Sequence, residues 1–384
     1  MGIKKLILKF GVISLKGIYA PMKLRRTRNR ITIISRQSDE PTVDIALLSD
    51  YIRKKYPHIE CCIMCRKLEK KGALGYGLHM MAQMASIAVS KVVVLDGYCI
   101  AASVLDHKKE LSIIQMWHSM AAIKAFGYQA VGKEEGRSPE IVEIFHMHRN
   151  YDYIIAPSET TGRFFAEAFN ADEKKLRYFC LPRTDIIQQD MITGVQTRSA
   201  GEELGITSAN SFRNKVRCEY GIRDDQEIIL YAPTFRKSEE VDVKPLQEAI
   251  DESKYKLIIK LHPLYDRTGY SDKNYSTYDW FRVCDRIITD YSAIGLEAAL
   301  IGKPVYYYVY DIERYKERVG LNVDLREEIP QATAENPQDL KRLIEEDYDY
   351  KALEVFRDKY ISADRTRCTE KLGDFICSLT AENL

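Results

Sequence analysis

The sequence predicts an α/β protein made of two halves, each with a parallel sheet and helices on both faces. Short apolar runs alternate with helical patterns from residue 30 onward, and a second alternating series begins near residue 227. Between the two series, residues 186–214 are rich in Ser, Thr, Gly, Asn and Gln and show little periodicity, which is typical of a linker or a surface insertion. Two halves joined in this way leave a cleft, where small ligands usually bind.

The N-terminal segment predicts a basic amphipathic helix. Ile3, Leu6, Ile7 and Phe10 recur at helical spacing, and the lysines mostly lie on other faces. Residues 1–38 hold ten Lys or Arg and no Asp or Glu, although the whole chain has a net charge of only +1. This pattern favours a segment that lies on an anionic membrane surface. The alternative is an ordinary terminal helix that packs on the protein.

The first half contains the elements of one parallel sheet. Apolar runs predict strands at 30–35, 59–65, 91–96, 112–117, 151–157 and 177–181. Helical patterns fall at 44–55, 74–90, 138–148 and 159–169. Because parallel strands need long crossover connections, strands that alternate with helices indicate a parallel sheet.

The second half repeats this organisation. Strands are predicted at 227–231, 256–261, 285–289 and 304–309, with helices at 243–252, 291–301 and 337–346. The C-terminal stretch 349–380 is helical and charged, and we expect it to belong to this half.

The composition is that of a folded protein in a reducing compartment. Hydrophobic residues make up 45% of the chain, and nine cysteines are scattered without a disulfide framework. Cys62 and Cys65, with Cys61 and His58 nearby, could hold a metal ion, but the run IECCIMC is more typical of a buried strand, so we expect no metal site. No apolar run is long enough to span a bilayer. We therefore expect a cytoplasmic protein that binds the inner face of the cell membrane peripherally.

A strand-to-helix junction near residue 290 is the most informative motif. The apolar run that ends at Thr289 is followed at once by Asp290, Tyr291 and Ser292 and then by a helical pattern. Hydroxyl and N–H groups at the start of a helix suit a phosphate, because the helix N-terminus carries partial positive charge. The alternative is that Ser292 only caps an ordinary helix.

Two histidines follow predicted strands. At the end of the run SIIQMW, His118 could take a proton from a hydroxyl near neutral pH, although a core histidine bonded to a backbone carbonyl is the alternative. His262 follows the run IIKL, and Pro263 keeps it out of helical geometry, so it should project at a turn. It could bind phosphate oxygens or protonate a leaving group.

Arg236 follows the strand that ends near Tyr231. Its guanidinium could clamp a diphosphate in a fork geometry, and a surface ion pair is the alternative. With His262 and Thr289 it would lie on one edge of the second sheet, which suits a nucleoside diphosphate. The chain contains no Walker, dinucleotide-binding or nucleophile-elbow motif. The sequence therefore favours a transferase with a nucleotide-activated donor.

Seven segments resemble, in this order, the CDP-glycerol glycerophosphotransferase family, the teichoic acid primases and polymerases of bacterial cell walls. They lie between about residues 85 and 320 and read VVLDGY, QMWHS, NYDYIIAPSE, LPRTD, YAPTFR, KLHP and ITDYSAIGLEAALIGKPVYYYVYD. The resemblance implies two Rossmann-like domains facing a cleft, as in GT-B glycosyltransferases, and a membrane-associating region. It also implies transfer of glycerol phosphate, or a relative, from a CDP-activated donor.

The resemblance implies residue roles as well. His118 matches the histidine of the family's WHG motif, which is taken as the base that activates the acceptor hydroxyl. His262 matches the histidine of an HP motif, which contacts the phosphates of the donor. Thr289 and Ser292 match phosphate contacts of a TDYSS motif.

Other positions match the family less closely. Arg236 and Glu297 fall where donor-binding residues are expected. Ser119 replaces the glycine of WHG, and Ala293 replaces the last serine of TDYSS. These departures leave the exact donor and acceptor open and do not affect the two histidines.

The sequence therefore predicts transfer of glycerol phosphate, or a related polyol phosphate, from a CDP-polyol to a hydroxyl of a membrane-linked glycan or teichoic-type acceptor, with release of CMP. We expect no cofactor and no nucleic-acid partner, and the oligomeric state stays open. The alternatives are a GT-B glycosyltransferase that uses a nucleotide sugar and a catalytically silent membrane-docked binding protein. The predicted domains are residues 1–29 (membrane association), 30–185 (acceptor side), 186–214 (linker) and 215–384 (donor binding).

Overall fold

Two compact α/β units make up the chain. The computed structural model describes residues 2–67, 73–192, 207–236, 241–261 and 271–382. Unit 1 comprises Met1–Met120, Ala125–Asp185 and Ser362–Leu384, and unit 2 comprises Ala121–Lys124 and Ile186–Ile361.

Unit 1 is built on a parallel sheet. Its strands are β1 (Arg30–Ser35), β2 (Glu60–Cys65), β3 (Val92–Leu95), β4 (Ser112–Gln115), β5 (Tyr153–Ala156) and β6 (Leu176–Tyr178). Its helices are α1 (Ile3–Met22), α2 (Val43–Lys55), α3 (Ala73–Ile87), α4 (Ile100–Val104), α5 (Pro139–Ile144), α6 (Glu159–Phe169) and the start of α7 (Arg183–Ile192). The strands pair in the order β2-β1-β3-β4-β5-β6.

The sheet of unit 1 has a topological switch point between β1 and β3. The chain leaves β1 toward β2 on one side and returns to the other side as β3. The loops after β1 and β3 therefore diverge, which makes the carboxyl ends of these strands the usual ligand-binding position in such a sheet. The β3 run Val92–Leu95 is fully buried, as expected for a strand covered on both faces.

Unit 2 has the same type of sheet. Its strands are β7 (Glu227–Tyr231), β8 (Tyr255–Ile259), β9 (Arg286–Thr289), β10 (Val305–Tyr308) and β11 (Thr333–Ala334). Its helices are α8 (Thr207–Glu219), α9 (Lys244–Ala249), α10 (Thr277–Val283), α11 (Ile294–Ala299), α12 (Ile312–Arg318), α13 (Leu325–Glu328), α14 (Pro337–Glu345) and α15 (Tyr350–Tyr360). The order β8-β7-β9-β10-β11, all parallel, gives a switch point between β7 and β9.

A glycine lets α11 lie close to the sheet of unit 2. A Cβ atom on Gly295 would come within 2.6 Å of the Tyr307 hydroxyl and 2.7 Å of its ring. Tyr307 lies on β10 and is fully buried, so its ring has no room to move. Gly295 therefore fixes the distance between β10 and the helix that follows β9.

The C-terminal helix belongs to unit 1, which differs from the sequence prediction. Helix α16 (Cys368–Glu382) packs on α2, where the Asp374 carboxylate accepts hydrogen bonds from the hydroxyls of Tyr51 (2.7 Å) and Tyr56 (2.8 Å) and from Lys55 (2.9 Å). Helical periodicity shows that a segment has an apolar face, but not which sheet that face covers. The prediction that assigned residues 349–380 to the second half is therefore correct for α15 and wrong from Ser362 onward.

Residues of the predicted linker are partly helical. Helix α7 extends through Ile192 and α8 starts at Thr207, so the ends of the 186–214 stretch are ordered helices rather than irregular chain. The remaining linker residues lie outside the described part of the chain.

Helix α1 is anchored to unit 1 by its C-terminal half. Tyr19 is buried, its hydroxyl lies 2.9 Å from Nδ1 of His107, and Lys16 forms an ion pair with Asp106 at 3.1 Å. Its first three turns carry large apolar side chains that are exposed. Within the described residues, no helix has the length and apolar character needed to cross a membrane.

Candidate active site

The backbone turns sharply after β4, just before His118. Trp117 has φ +61°, a left-handed conformation that costs a residue with a bulky side chain about 1–3 kcal/mol. Packing holds it there, because the indole stacks on Phe126 with ring centroids 4.7 Å apart and meets Phe169 edge-on at 5.3 Å. Buried Gln115 accepts the Trp117 N–H at 3.0 Å and donates to the Gly97 carbonyl at 3.2 Å. Local strain and packing together set the direction of the histidine.

The imidazole of His118 is oriented by a backbone carbonyl. Its Nδ1 lies 2.7 Å from the carbonyl oxygen of Asp96. The amide nitrogen of Gln37 lies 3.2 Å from the same Nδ1, but it only donates and so makes no hydrogen bond to a protonated Nδ1. A carbonyl oxygen only accepts hydrogen bonds, so Nδ1 carries the proton in the neutral ring and Nε2 is the basic nitrogen. The sequence left open whether this histidine is a core residue or a base. In the structure it is half-buried at the carboxyl edge of the sheet, with the tautomer that a general base requires.

The Asp96 side chain has a hydrogen bond on one of its two carboxylate oxygens. Its Oδ2 accepts the Ser35 hydroxyl at 2.6 Å, whereas Oδ1 has no hydrogen-bond partner among the described residues. Burial raises the pKa of the Asp96 carboxyl to about 6, and the nearby Asp44 carboxylate adds to the rise. This carboxyl group is therefore held in an unfavourable environment, and it belongs to the residue whose backbone carbonyl binds the candidate base.

Arg183 bonds to the backbone of His118. Its guanidinium pairs with buried Asp44, with Nε 2.8 Å from Oδ2, and its Nη2 donates to the His118 carbonyl at 3.2 Å. Sequence reasoning assigned no role to Asp96 or Arg183, although both lie in segments that resemble the family, VVLDGY and LPRTD. Asp44 had no sequence signal at all.

The second predicted site lies at the ends of β7 and β9 in unit 2. Thr289 is fully buried and donates its hydroxyl to the Ala232 carbonyl at 2.7 Å. Asp290 Oδ1 accepts the N–H of Thr234 at 2.7 Å. These bonds join the two strand ends at the switch point, so the Thr289 hydroxyl has a structural role, and its predicted phosphate contact stays a prediction.

Arg236 is held by two carboxylates. It is 2% exposed, its Nη1 lies 2.8 Å from Asp290 Oδ2, and it forms a two-point ion pair with Asp311 at 2.8 and 3.0 Å. Its guanidinium also lies within 6 Å of three tyrosine rings, those of Tyr291, Tyr310 and Tyr315. The fork that was expected to clamp a diphosphate is thus occupied by aspartates, because residues distant in sequence converge on it. The alternative prediction for Arg236 was an ion pair on the surface. The structure does show an ion pair, but it is buried.

The remaining predicted residues have different surroundings. Ser292 is half-buried and its Oγ accepts the N–H of Ile294 at 3.3 Å, one residue before the helix cap. Glu297 is buried inside α11 and accepts the Tyr278 hydroxyl at 3.0 Å. His262 lies outside the described residues. Across the described ranges, no group of three or more His, Cys, Asp or Glu side chains is arranged to hold a metal ion.

Solved structures define the class of this protein. The wall teichoic acid polymerase TagF aligns over 100% of this chain and 99% of its own, with a TM-score of 0.69 at 17% identity. A UDP-GlcNAc 2-epimerase of Methanocaldococcus jannaschii aligns over 92% of this chain and 99% of its own, with a TM-score of 0.51 at 16% identity. The two parallel sheets and these likenesses define a two-domain GT-B-like α/β protein, which confirms the predicted fold class.

Sequence comparison then gives the family. The model of the CDP-glycerol:poly(glycerophosphate) glycerophosphotransferase family matches residues 18–378, and the chain belongs to that family of transferases. It is 29% identical over 377 residues to a teichoic acid ribitol-phosphate primase of Bacillus spizizenii, covering 91% of each chain. It is 25% identical over 347 residues to a teichoic acid glycerol-phosphate primase of Bacillus subtilis, covering 85% of this chain and 82% of the primase.

Proposed function

We propose that this enzyme transfers glycerol phosphate, or a related polyol phosphate, from a CDP-activated donor to a hydroxyl of a membrane-linked glycan or teichoic-type acceptor. Family membership supports the reaction class, and the similarity to both ribitol-phosphate and glycerol-phosphate primases keeps both polyols in the proposal. The observation that carries the mechanism is the orientation of His118, whose Nδ1 is bound to the Asp96 carbonyl at 2.7 Å.

In this proposal, unit 1 activates the acceptor hydroxyl and unit 2 binds the phosphates of the donor. Nε2 of His118 takes the proton of the acceptor hydroxyl as its oxygen attacks the phosphorus that carries the polyol. The new O–P bond forms while the bond from that phosphorus to the CMP oxygen breaks, and CMP leaves with the electron pair. We assign the donor phosphates to Ser292 and His262 on unit 2, where hydroxyl and imidazole donors would stabilise the developing charge. Thr289 supports this site, because its hydroxyl proton is donated to the Ala232 carbonyl.

Arg236 and Glu297 take supporting roles in this proposal. Because Arg236 is neutralised by Asp290 and Asp311, it holds the loops after β7 and β9 in place for the donor. Glu297, bonded to Tyr278, fixes α11 against α10. Neither side chain needs to contact the diphosphate.

CMP release from CDP-glycerol, CDP-ribitol and a nucleotide sugar, each with a lipid-linked disaccharide acceptor, tests the reaction. We expect turnover with a CDP-polyol, and we expect His118→Ala to lower it by a factor on the order of 10²–10⁴ while calorimetric binding of the donor stays unchanged. His58→Ala replaces an exposed histidine of the same unit and serves as the control. Turnover of the nucleotide sugar alone, or normal CMP release by folded His118→Ala, would refute the proposal.

We further propose that α1 docks the enzyme on the anionic inner face of the cell membrane. Five side chains at helical spacing on its first turns are 60–80% exposed: Ile3, Leu6, Ile7, Phe10 and Ile13. An apolar stripe on a helix with basic flanks fits an anionic bilayer surface, where apolar burial and lysine charge both contribute. The C-terminal half of the same helix is anchored to unit 1 through Tyr19, so docking would hold the edge with His118 near a membrane-linked acceptor.

Sedimentation with phosphatidylglycerol-containing vesicles tests this docking. We expect binding at low salt and release at high salt, because surface charges are screened. Phe10→Glu should weaken binding severalfold, whereas Val355→Glu, at an exposed valine of α15, should not. Absence of vesicle binding at low salt, or self-association that depends on Phe10, would show that the stripe has another partner.

A further inference from the structure

The switch point of unit 1 carries a cluster of basic and aromatic side chains that the reaction described above does not use. Arg36 directly follows β1, and its Nη1 donates to the Tyr98 carbonyl at 2.8 Å. Its guanidinium carbon lies 5.9 Å from the ring centroid of Tyr76, while that of Arg137 lies 5.1 Å from the ring of Tyr98. Arg66, which follows β2, reaches α3, where its Nη2 lies 2.8 Å from the position of a Cβ on Gly75.

This cluster differs from the other basic sites of unit 1 in its charge balance. Within the described ranges, neither Arg36, Arg66 nor Arg137 forms an ion pair, whereas Arg183 pairs with Asp44 and Arg149 with Asp106. Three cations in one region repel one another, so their grouping is unfavourable unless an anion joins them. Because guanidinium groups match phosphate oxygens in a two-point geometry, a phosphate is the anion that they suit best.

Buried polar atoms beside the cluster lack hydrogen-bond partners. Nε of Arg36 and the side-chain nitrogens of His79 (Nε2) and Gln83 (Nε2) are buried, and no described residue bonds to them. His79 neighbours Tyr76 on α3, with ring centroids 6.4 Å apart, and the Gln83 oxygen lies 3.9 Å from the Cys99 sulfur, one residue after Tyr98. Leaving such groups unpaired is costly, and a ligand that accepts hydrogen bonds would satisfy them.

The cluster adjoins the candidate base. Gln37, the neighbour of Arg36, lies 3.2 Å from Nδ1 of His118, and Asp96, whose carbonyl binds the same nitrogen, precedes Tyr98 by two residues. Consecutive Cα atoms are about 3.8 Å apart, so Arg36 and Tyr98 are within one or two residue lengths of the groups that touch His118. A ligand whose hydroxyl lies at His118 can therefore place a phosphate on the cluster.

We propose that Arg36, with Arg66, Arg137, Tyr76, Tyr98 and His79, forms a subsite for a phosphate group of the acceptor. The position of the acceptor hydroxyl rests on the proposed function, but phosphate binding by the cluster does not. The subsite selects acceptors that carry negative charge close to the reacting hydroxyl. The phosphate belongs either to the diphosphate that links a glycan to its lipid or to a polyol phosphate already attached to the glycan, and both present the same oxygens.

Three matched acceptor analogues test the subsite directly. One is a disaccharide on a short alkyl diphosphate, the second is the same disaccharide with a glycerol phosphate on an uncharged alkyl chain, and the third is the uncharged alkyl disaccharide. Binding is measured by calorimetry without donor, so the result does not depend on turnover. We expect wild-type protein to bind at least one charged analogue more tightly than the uncharged one, and the analogue preferred identifies the source of the phosphate.

Substitutions then assign the binding to the cluster. Arg36→Gln and Arg137→Gln should weaken binding of the preferred charged analogue on the order of ten- to a hundredfold and leave the uncharged analogue and CDP-glycerol unaffected. Arg36→Lys should weaken binding of this analogue less than Arg36→Gln does, because lysine keeps the positive charge although it lacks the two-point geometry of the guanidinium group. Arg53→Gln, at an exposed arginine of α2, is the matched control. Equal binding of all three analogues by wild-type protein, or wild-type affinity in folded Arg36→Gln and Arg137→Gln, would overturn the subsite, whereas absent turnover with intact phosphate binding would count against the proposed function alone.

Discussion

The two switch points share one topology and differ in how their arginines are compensated. At the end of β1, Arg36 meets a carbonyl and an aromatic ring and pairs with no carboxylate of the described chain. At the end of β7, Arg236 is enclosed by Asp290 and Asp311. The position of an arginine after a parallel strand therefore does not by itself indicate a ligand contact, because a carboxylate from another part of the chain can pair with it.

The carboxylates of the two edges show the same contrast. Asp290 is bonded on both oxygens, to the Thr234 N–H and to Arg236. Asp96 is bonded on one oxygen only and carries a raised pKa. Polar groups with unmet hydrogen bonds cost stability, and proteins keep them mainly where function needs them. Both edges hold such groups, since Oγ1 of Thr234 and the Tyr231 hydroxyl in unit 2 are also buried without a partner among the described residues, so the contrast is limited to the two carboxylates.

The largest expected effect is the difference in stability between substitutions of Arg236 and of Arg36. Arg236→Met leaves the buried Asp290 and the partly buried Asp311 without their cation and should lower the free energy of unfolding of unit 2 by about 3–5 kcal/mol. Arg36→Met breaks no ion pair and should change the stability of unit 1 by less than about 1 kcal/mol. Hydrogen exchange of the β7 and β9 amides, compared with those of β1 and β3, measures both effects. Equal destabilisation by the two substitutions would remove the distinction.

A pH titration tests the buried carboxyl group of unit 1. The pKa of Asp96 is about 6 in the folded protein and 3.8 for an ordinary aspartate, so the folded state holds its proton more tightly. This contribution to stability is complete below pH 3.8 and is lost as the pH rises through about 6. From pH 4 to pH 8, wild-type unit 1 should lose on the order of 2–3 kcal/mol relative to Asp96→Asn, which cannot ionise. Parallel pH profiles of the two proteins would argue that Asp96 is ionised without penalty.

The smallest effects distinguish two hydroxyls of unit 2. Thr289→Val removes the donor to the Ala232 carbonyl and should lower stability by about 1 kcal/mol. Ser292→Ala removes a half-buried hydroxyl with one weak local bond, so stability should stay within about 0.5 kcal/mol while CDP-glycerol binds severalfold more weakly. Urea unfolding and calorimetry with CDP-glycerol measure the pair. Unchanged donor binding in Ser292→Ala would place the donor phosphates elsewhere.

Local patterns in the sequence predict much of this fold. The prediction for β7, residues 227–231, matches the structure, and α6 at 159–169 does so too, because each depends on a continuous apolar period. The position of His118 at a strand end follows from the same kind of signal. The hydrogen bond between the Asp96 carbonyl and the His118 ring could not be predicted from such a signal, because only the pairing of β3 with β4 brings these two residues together.

The features that the sequence did not predict have a common physical cause. The ion pairs of Arg236 were not predicted because Asp311, far along the chain, could not be placed next to it. The C-terminal helix was assigned to the wrong half because the apolar face of a helix does not indicate which sheet or helix it packs on. Pairings across long sequence separations depend on tertiary packing, and single-sequence patterns contain no record of them.

The return of α16 to unit 1 has a consequence for biosynthesis. Ser362–Leu384 leave the ribosome only after all of Ile186–Ile361 has been made. At about 5–20 residues per second, that delay lasts roughly ten to thirty-five seconds, during which the α2 surface around Tyr51 lacks its cover. Unit 2 can complete its sheet in that interval. The chain can therefore finish its second unit first, while the face of α2 that α16 covers stays exposed until the last residues have been made.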